Sequence, residues 1–476
     1  MKTTTFPAPL ALAVAAVCWL ATVSAPGQSL TNFTGVWNNV MLSTPAQLTL
    51  NTSIDDRFGT SHVTVQDVQE RTQFAVGVMT LMMDGNGNFS GPANGTIAVV
   101  GPGLMRATPN GDDAVIFNVN AAQDVAFATK QGPGSPQQDL ELLLKAPASM
   151  TSTELAGTWK MVSFGTPRYF VLHRATNFSD PTRPIEGVVN IEGQQEFSTG
   201  GGTMTVAADG SFSLVFGPDT MSGTATPGAN GLLTVTIPMP PDPSMILSFY
   251  VNAGKNVMAA VHTEENYQEI IVAVKLPAAQ TESESQGLWR VGSFETPRTL
   301  TLPTNGLGFV RDILERERFY VSGEQVHIGH TGIFTTPADR GLGRVSVLSP
   351  GTVQVAGTND AGETFLSTFW GNATKDFLIG TRTDASQEIT LIARAPAESL
   401  PGGPAEFGLM LAATNQPPLR VNLYWASAAN RVLQVSTDPM NPASWTDLAE
   451  TLGGYSHSPS PGSVPRAYYR VRQTTP

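Results

Sequence analysis

The sequence predicts an all-β protein: three tandem antiparallel up-and-down β-barrels followed by a small C-terminal β-sandwich. Three observations lead there. The composition is turn-rich and charge-poor, with 46 glycines, 35 prolines and only 14% charged residues in 476, well under the roughly 25% charge of an average soluble protein. One opening motif and one closing motif each recur three times. Between them lie short runs of β-branched and aromatic residues separated by turn clusters.

The chain opens with Lys2, an apolar run at 10–23 and small residues at Ser24 and Ala25, the layout of a secretory signal peptide over residues 1–28. The run is shorter than the roughly 18 residues that a membrane anchor needs. Cys18, the single cysteine, sits inside it, so the exported chain has no disulfide, thiolate metal site or cysteine nucleophile. The net charge of −12 argues against nucleic acid as a partner, because phosphate recognition needs a basic surface.

The openings are Gly35-Val36-Trp37, then Ser43-Thr44-Pro45; Gly157-Thr158-Trp159, then Ser163 and Thr166-Pro167-Arg168; and Gly287-Leu288-Trp289, then Ser293 and Thr296-Pro297-Arg298. The closings run from Gln138-Asp139 to Lys145, from Gln268-Glu269 to Lys275, and from Gln387-Glu388 to Arg394. A period this long is a whole domain, since solenoid and propeller units run roughly 20 to 50 residues. The partition is 29–148, 149–279 and 280–399. In the second copy, strand-like runs at 203–207, 211–215, 232–237, 246–251, 257–261 and 270–274 are separated by Ala208-Asp209-Gly210, a Gly-rich cluster at 227–231 and Ala253-Gly254-Lys255-Asn256. These read as hairpin turns between antiparallel neighbours. Eight to ten strands per copy suffice to close a barrel and remove exposed edges. The charged segment at 309–320 reads as a short helix across the third mouth or as a charged strand.

Gly-x-Trp on the first strand with a basic residue on the last resembles the lipocalin-like, or calycin, barrel. The resemblance implies that the Trp packs at the closed end with the basic side chain across it, pairing Trp37 with Lys145, Trp159 with Lys275 and Trp289 with Arg394. A cation over an indole face contributes about 0.5–2 kcal/mol. The disulfide familiar in that family is impossible here, and Ala46 replaces the Arg of Thr-Pro-Arg in the first copy.

Pro-, Ser- and Ala-rich linkers separate the copies. After the last linker, 404–476 carries four or more short strands, among them 431–435 and 467–472, and resembles the C-terminal fibronectin-like sandwich of large secreted bacterial proteins, a spacer or surface-association module.

Catalytic motifs are sparse. There is no His-Glu-x-x-His or Gly-x-Ser-x-Gly in the sequence. Of the six histidines, only His327 and His330 are close, and three residues apart on a strand they point to opposite faces. Asp84-Gly85-Asn86-Gly87-Asn88 starts like a calcium loop, but its twelfth position would be Gly95, where a bidentate carboxylate is required. It reads as a hairpin tip. Asp55-Asp56, Asp112-Asp113 and Glu264-Glu265 read as turn acids. Arg168 and Arg298 are candidate anion ligands near barrel mouths, and Asn32 and Asn372 head glycosylation sequons.

No metal or cofactor is implied. The sequence points to a secreted, periplasmic or cell-surface scaffold or adhesive rod without enzymatic activity, partnered by an extracellular or surface component. Binding of small apolar molecules inside the barrels is the alternative, and a carboxylate-dependent hydrolase is a distant third.

Overall fold

The structure, a computed structural model, describes residues 29–45, 74–101, 103–131, 137–168, 197–265, 267–297, 320–328, 332–335, 342–358, 364–383 and 386–396. It also describes strands at 52–55, 62–65, 172–174 and 188–191, and six strands beyond residue 400. The signal segment, Arg298, His330 and nearly all of the charged stretch at 309–320 lie outside these residues.

The described chain is all-β, built on three closed barrels of eight antiparallel strands. The first barrel runs from Gly35–Pro45 to Gln137–Lys145, the second from Gly157–Pro167 to Tyr267–Lys275, and the third from Gly287–Pro297 to Ser386–Arg394. Strands joined by tight turns pair with their sequence neighbours, and each barrel closes where its first strand meets its last. The closure register is the same in all three: Trp37 lies opposite Lys145, Trp159 opposite Lys275 and Trp289 opposite Arg394. A further two-stranded hairpin follows the first strand in the first and second barrels. Beyond residue 400 the strands form two three-stranded sheets.

Strand residues alternate between the barrel interior and its outer face. Inward residues build a separate core in each barrel around fully buried Trp37, Trp159 and Trp289. Around the closure the outer face is apolar as well. Val40, Leu42, Leu140, Leu142 and Leu144 of the first barrel join Val162, Phe164, Ile270, Val272 and Val274 of the second and Phe294, Ile389, Leu391 and Ala393 of the third in one buried cluster. Phe164 and Phe294 meet edge to face at 5.6 Å, as do Phe127 and Phe377 at 6.3 Å. The three barrels therefore stand around a common axis. A linear rod of barrels is ruled out.

Polar residues close both ends of this axial core. At the tryptophan end, the turns 120–124, 252–256 and 372–376 share one design. The leading Asn120, Asn252 or Asn372 accepts two backbone N–H bonds from the turn's end, while its amide donates to Asp124, Asn256 or Asp376. These side chains also link barrel to barrel. Asp124 accepts from Asn252 at 2.8 Å and from the Gly254 amide at 2.7 Å. Asp376 accepts from Asn120 at 3.0 Å and from the Ala122 amide at 2.9 Å. Asn256 accepts from Asn372 at 3.3 Å and donates to the Thr374 hydroxyl at 3.1 Å. The links run in one rotational sense and close into a ring. At the opposite end, buried Thr44, Thr166 and Thr296 of the Thr-Pro motifs stand opposite buried Gln138, Gln268 and Gln387 of the closing motifs.

The segment leaving each barrel packs on a turn glycine of the next. A Cβ on Gly231 would lie 2.9 Å from Pro147, one on Gly351 would lie 2.7 Å from Leu276 and Pro277, and one on Gly103 would lie 2.8 Å from Ala395. All three glycines have positive φ, between 63° and 77°, a conformation only glycine adopts freely. Because Ala395 of the third barrel returns to the first, the ring closes here a second time.

Candidate functional site

With the three barrels side by side, their tryptophan ends lie at one end of the axis and their mouths at the other. The tryptophan ends are built alike. A helical turn precedes each first strand, at Leu30–Phe33, Ser152–Leu155 and Glu282–Ser285. Each indole N–H donates to the last carbonyl of its turn: Trp37 to Phe33 at 2.7 Å, Trp159 to Leu155 at 2.9 Å and Trp289 to Ser285 at 2.7 Å. The closing basic residue donates to the carbonyl one position earlier, Lys145 to Asn32, Lys275 to Glu154 and Arg394 to Glu284. Arg394 also lies 5.8 Å above the Trp289 ring. Burial pulls the Lys145 and Lys275 ammonium groups below the usual lysine range.

At each mouth, the acid of the closing motif points inward opposite a basic residue of the penultimate strand. The register pairs Asp139 with Lys130, Glu269 with His262 and Glu388 with Arg382. His262 Nδ1 is 3.5 Å from Glu269, and Arg382 is 3.1 Å from Glu388. Tyr267 donates to Glu269 at 3.3 Å and shares a 2.9 Å hydrogen bond with Ser198. Burial and the adjacent carboxylates push the Tyr267 phenol up, while the hydrogen bond to Glu269 holds His262 above its ordinary value. Each closing-motif acid thus has a base as its neighbour on the penultimate strand, while Glu388 also has Glu295 opposite it on the first strand.

The interiors differ more than the frames. In the second barrel, Met161 and Met204 are buried inside the core. The matching positions in the third barrel carry Val291 and Val326, as the tryptophan registers show. The shorter side chains leave a cavity of about 160 Å³ lined by Trp289, Phe334, Val345, Val353 and Phe369 among others. The lining is mostly apolar, with Ser285, Glu324 and Ser367 among it, and a cavity of this size admits a benzene-sized molecule.

The remaining sequence candidates are placed as follows. Arg168 is exposed and donates to the Glu264 carbonyl at 3.1 Å. Asp84 accepts from the Asn86 and Asn88 amides in a hairpin turn, and Asp112 and Asp113 are exposed. Asn372, head of a sequon, is fully buried with its amide engaged in the axial ring, so this sequon is closed to glycosylation in the folded protein. Among the described residues, no three His, Cys, Asp or Glu side chains stand close enough to hold a metal ion, and no helix is long and apolar enough to cross a membrane. The axial ring and the mouth pairs went unread in the sequence, although the Asn-Ala-x-x-Asp/Asn turn occurs three times at matched positions.

No family model matches the sequence, and no curated protein matches it. Among solved structures, transferrin binding protein B from Haemophilus parasuis is similar at 7% identity and a TM-score of 0.23, over 76% of this chain and 75% of that one. Transferrin binding protein B from serogroup B Neisseria meningitidis is similar at 7% identity and a TM-score of 0.19, over 76% of each chain. A protein of unknown function of the DUF3598 family from Nostoc punctiforme is similar at 10% identity and a TM-score of 0.16, over 77% of this chain and 99% of that one. TM-scores this low carry no inference about function.

Proposed function

We propose that the chain is a non-enzymatic binding scaffold acting outside the cytoplasm, with three lipocalin-like barrels locked into one block and the third taking a small apolar molecule. The observation that carries this reading is the cavity above Trp289, at positions where the second barrel is filled by methionine. The Trp-to-basic pairs Trp37–Lys145, Trp159–Lys275 and Trp289–Arg394 act as end closures, and the C-terminal sheets, read as a fibronectin-like sandwich, act as a spacer or surface-association module. Export through the N-terminal signal segment places the block at the cell surface or beyond.

The test is a thermal-shift titration of the exported chain with toluene. Wild type is expected to be stabilised saturably, and the cavity-filling Val291→Met/Val326→Met variant to lose that response while staying folded. An equal response from both proteins contradicts cavity binding. A purely structural scaffold is the second reading, favoured by the Met161 and Met204 packing that fills the second barrel.

A further inference from the structure

We propose that the interior of the first barrel, between Trp37 and its mouth, binds a small organic ammonium ligand through Asn39, Glu141 and Asp139. Along the first strand the inward residues are Trp37, Asn39, Met41 and Ser43, which face Leu143, Glu141 and Asp139 on the last strand. Their other neighbours are Met79, Gly77 and Ala75, and Ala128 lies beside Glu141. Gly77, Ala75 and Ala128 make the mouth-side part of these walls small, while Met41, Met79 and Leu143 line the rest. A Cβ on Gly77 would touch only the Met41 side chain, at 3.6 Å.

The second observation is an unmet acceptor. Asn39 is 3% exposed; its amide N–H donates to Glu141 Oε2 at 2.7 Å, while its Oδ1 has no hydrogen-bond partner. The opposite amide orientation would set Oδ1 against Glu141 Oε2, two acceptors face to face, so the unmet atom is the acceptor Oδ1. Leaving such an acceptor buried and unmet is unfavourable, and a ligand N–H would satisfy it.

The surrounding charge selects the ligand class. Burial pushes the Glu141 carboxyl up, with Asp139 and Asp112 acting the same way and the Asn39 hydrogen bond and Lys130 opposing, so a cationic donor seated beside it would favour its charged form; Ser43 donates to Asp139 at 2.5 Å. This excess of acceptors and negative charge suits a group with several N–H donors and a positive charge. The site is separate from the third-barrel cavity, so the two readings stand or fall independently.

The test is isothermal titration of the exported chain, in phosphate buffer, with 1,4-diaminobutane; butanol and butyrate serve as neutral and anionic controls. The diamine is expected to bind saturably at one per chain, with Glu141→Gln weakening it at least tenfold and Lys130→Ala tightening it several-fold. Val326→Met is expected to leave the affinity unchanged. If Glu141→Gln fails to fold by circular dichroism, Asp139→Asn and Lys130→Ala carry the comparison. No saturable binding to wild type, equal affinity in all first-barrel variants, or equal binding of butanol would overturn the proposal and leave water as the occupant beside Asn39.

Discussion

Asn120 of the first barrel donates its side-chain amide to the Asp376 carboxylate of the third at 3.0 Å, across 256 residues of chain. The same carboxylate accepts the Ala122 backbone N–H, so the two ends of the three-barrel array are joined by buried polar bonds. Asp376→Ala strands these donors at about 1–3 kcal/mol for each one left unsatisfied. Hydrogen-exchange mass spectrometry is expected to show faster exchange at 120–125 of the first barrel as well as at 372–377. Loss of protection confined to the third barrel would argue against the junction.

The three junctions are not chemically identical. Asp124 and Asp376 each meet a backbone N–H of the neighbouring turn, at Gly254 and Ala122, and two acceptor oxygens suit that role. Asn256 meets Thr374, whose hydroxyl accepts the Asn256 amide and itself donates to Asp376 at 2.6 Å. Thr374→Val keeps the shape and removes these two bonds together with the 2.8 Å bond from the Asn372 amide, so it is expected to destabilise by about 1–3 kcal/mol, with Thr374→Ser close to wild type. Urea titration checks this; equal midpoints for all three proteins would show that the hydroxyl is idle.

Gly351 makes one of the contacts between the second and third barrels. Its φ of +77° and the 2.7 Å approach of Leu276 and Pro277 leave no place for a side chain. Gly351→Ala is expected to cost about 1–3 kcal/mol through strain and overpacking. The exposed Gly111, at φ +84° with nothing near its Cβ position, is the control: Gly111→Ala carries only the conformational cost. Chemical denaturation distinguishes the two, and equal losses would mean that the exit segment exerts no pressure.

The mouth of the second barrel is expected to make stability depend on pH. His262 is held above its ordinary value of 6.5 chiefly by its hydrogen bond to Glu269, with Glu264 adding to the effect and burial opposing it. A folded-state pKa above the unfolded one gives a contribution that is complete below about 6.5 and lost as pH rises through the raised value. Stability should therefore decline as pH increases from 6.5, and His262→Gln should remove that part of the slope. Denaturation midpoints measured from pH 6 to 9 test this; parallel profiles would contradict it.

The frame was legible because its parts recur at fixed spacing. Gly-x-Trp, Thr-Pro and the Gln-Asp/Glu to Lys/Arg closing run mark the first and last strands, and those strands do meet. The assembly was not legible from alternation in one copy, because a strand buried on both faces loses its alternation. The runs Leu142-Leu143-Leu144 and Ile270-Ile271-Val272-Ala273-Val274 carry that signal: their residues feed the barrel interior and the axial core in turn. The Asn-Ala-x-x-Asp/Asn turns read locally as hairpins, which they are. Their second role depends on a neighbour more than a hundred residues away, and no local pattern encodes such a partner. The cavity is subtler still, since it arises from Val291 and Val326 standing where the second barrel has methionine.

Calorimetry of the exported chain tests most directly whether the three barrels form one cooperative body. One transition is expected to contain all three barrels, and Asp376→Ala is expected to lower the whole of it. Separate barrel transitions, with only the third moved by the substitution, would contradict the shared axial core as the basis of the fold.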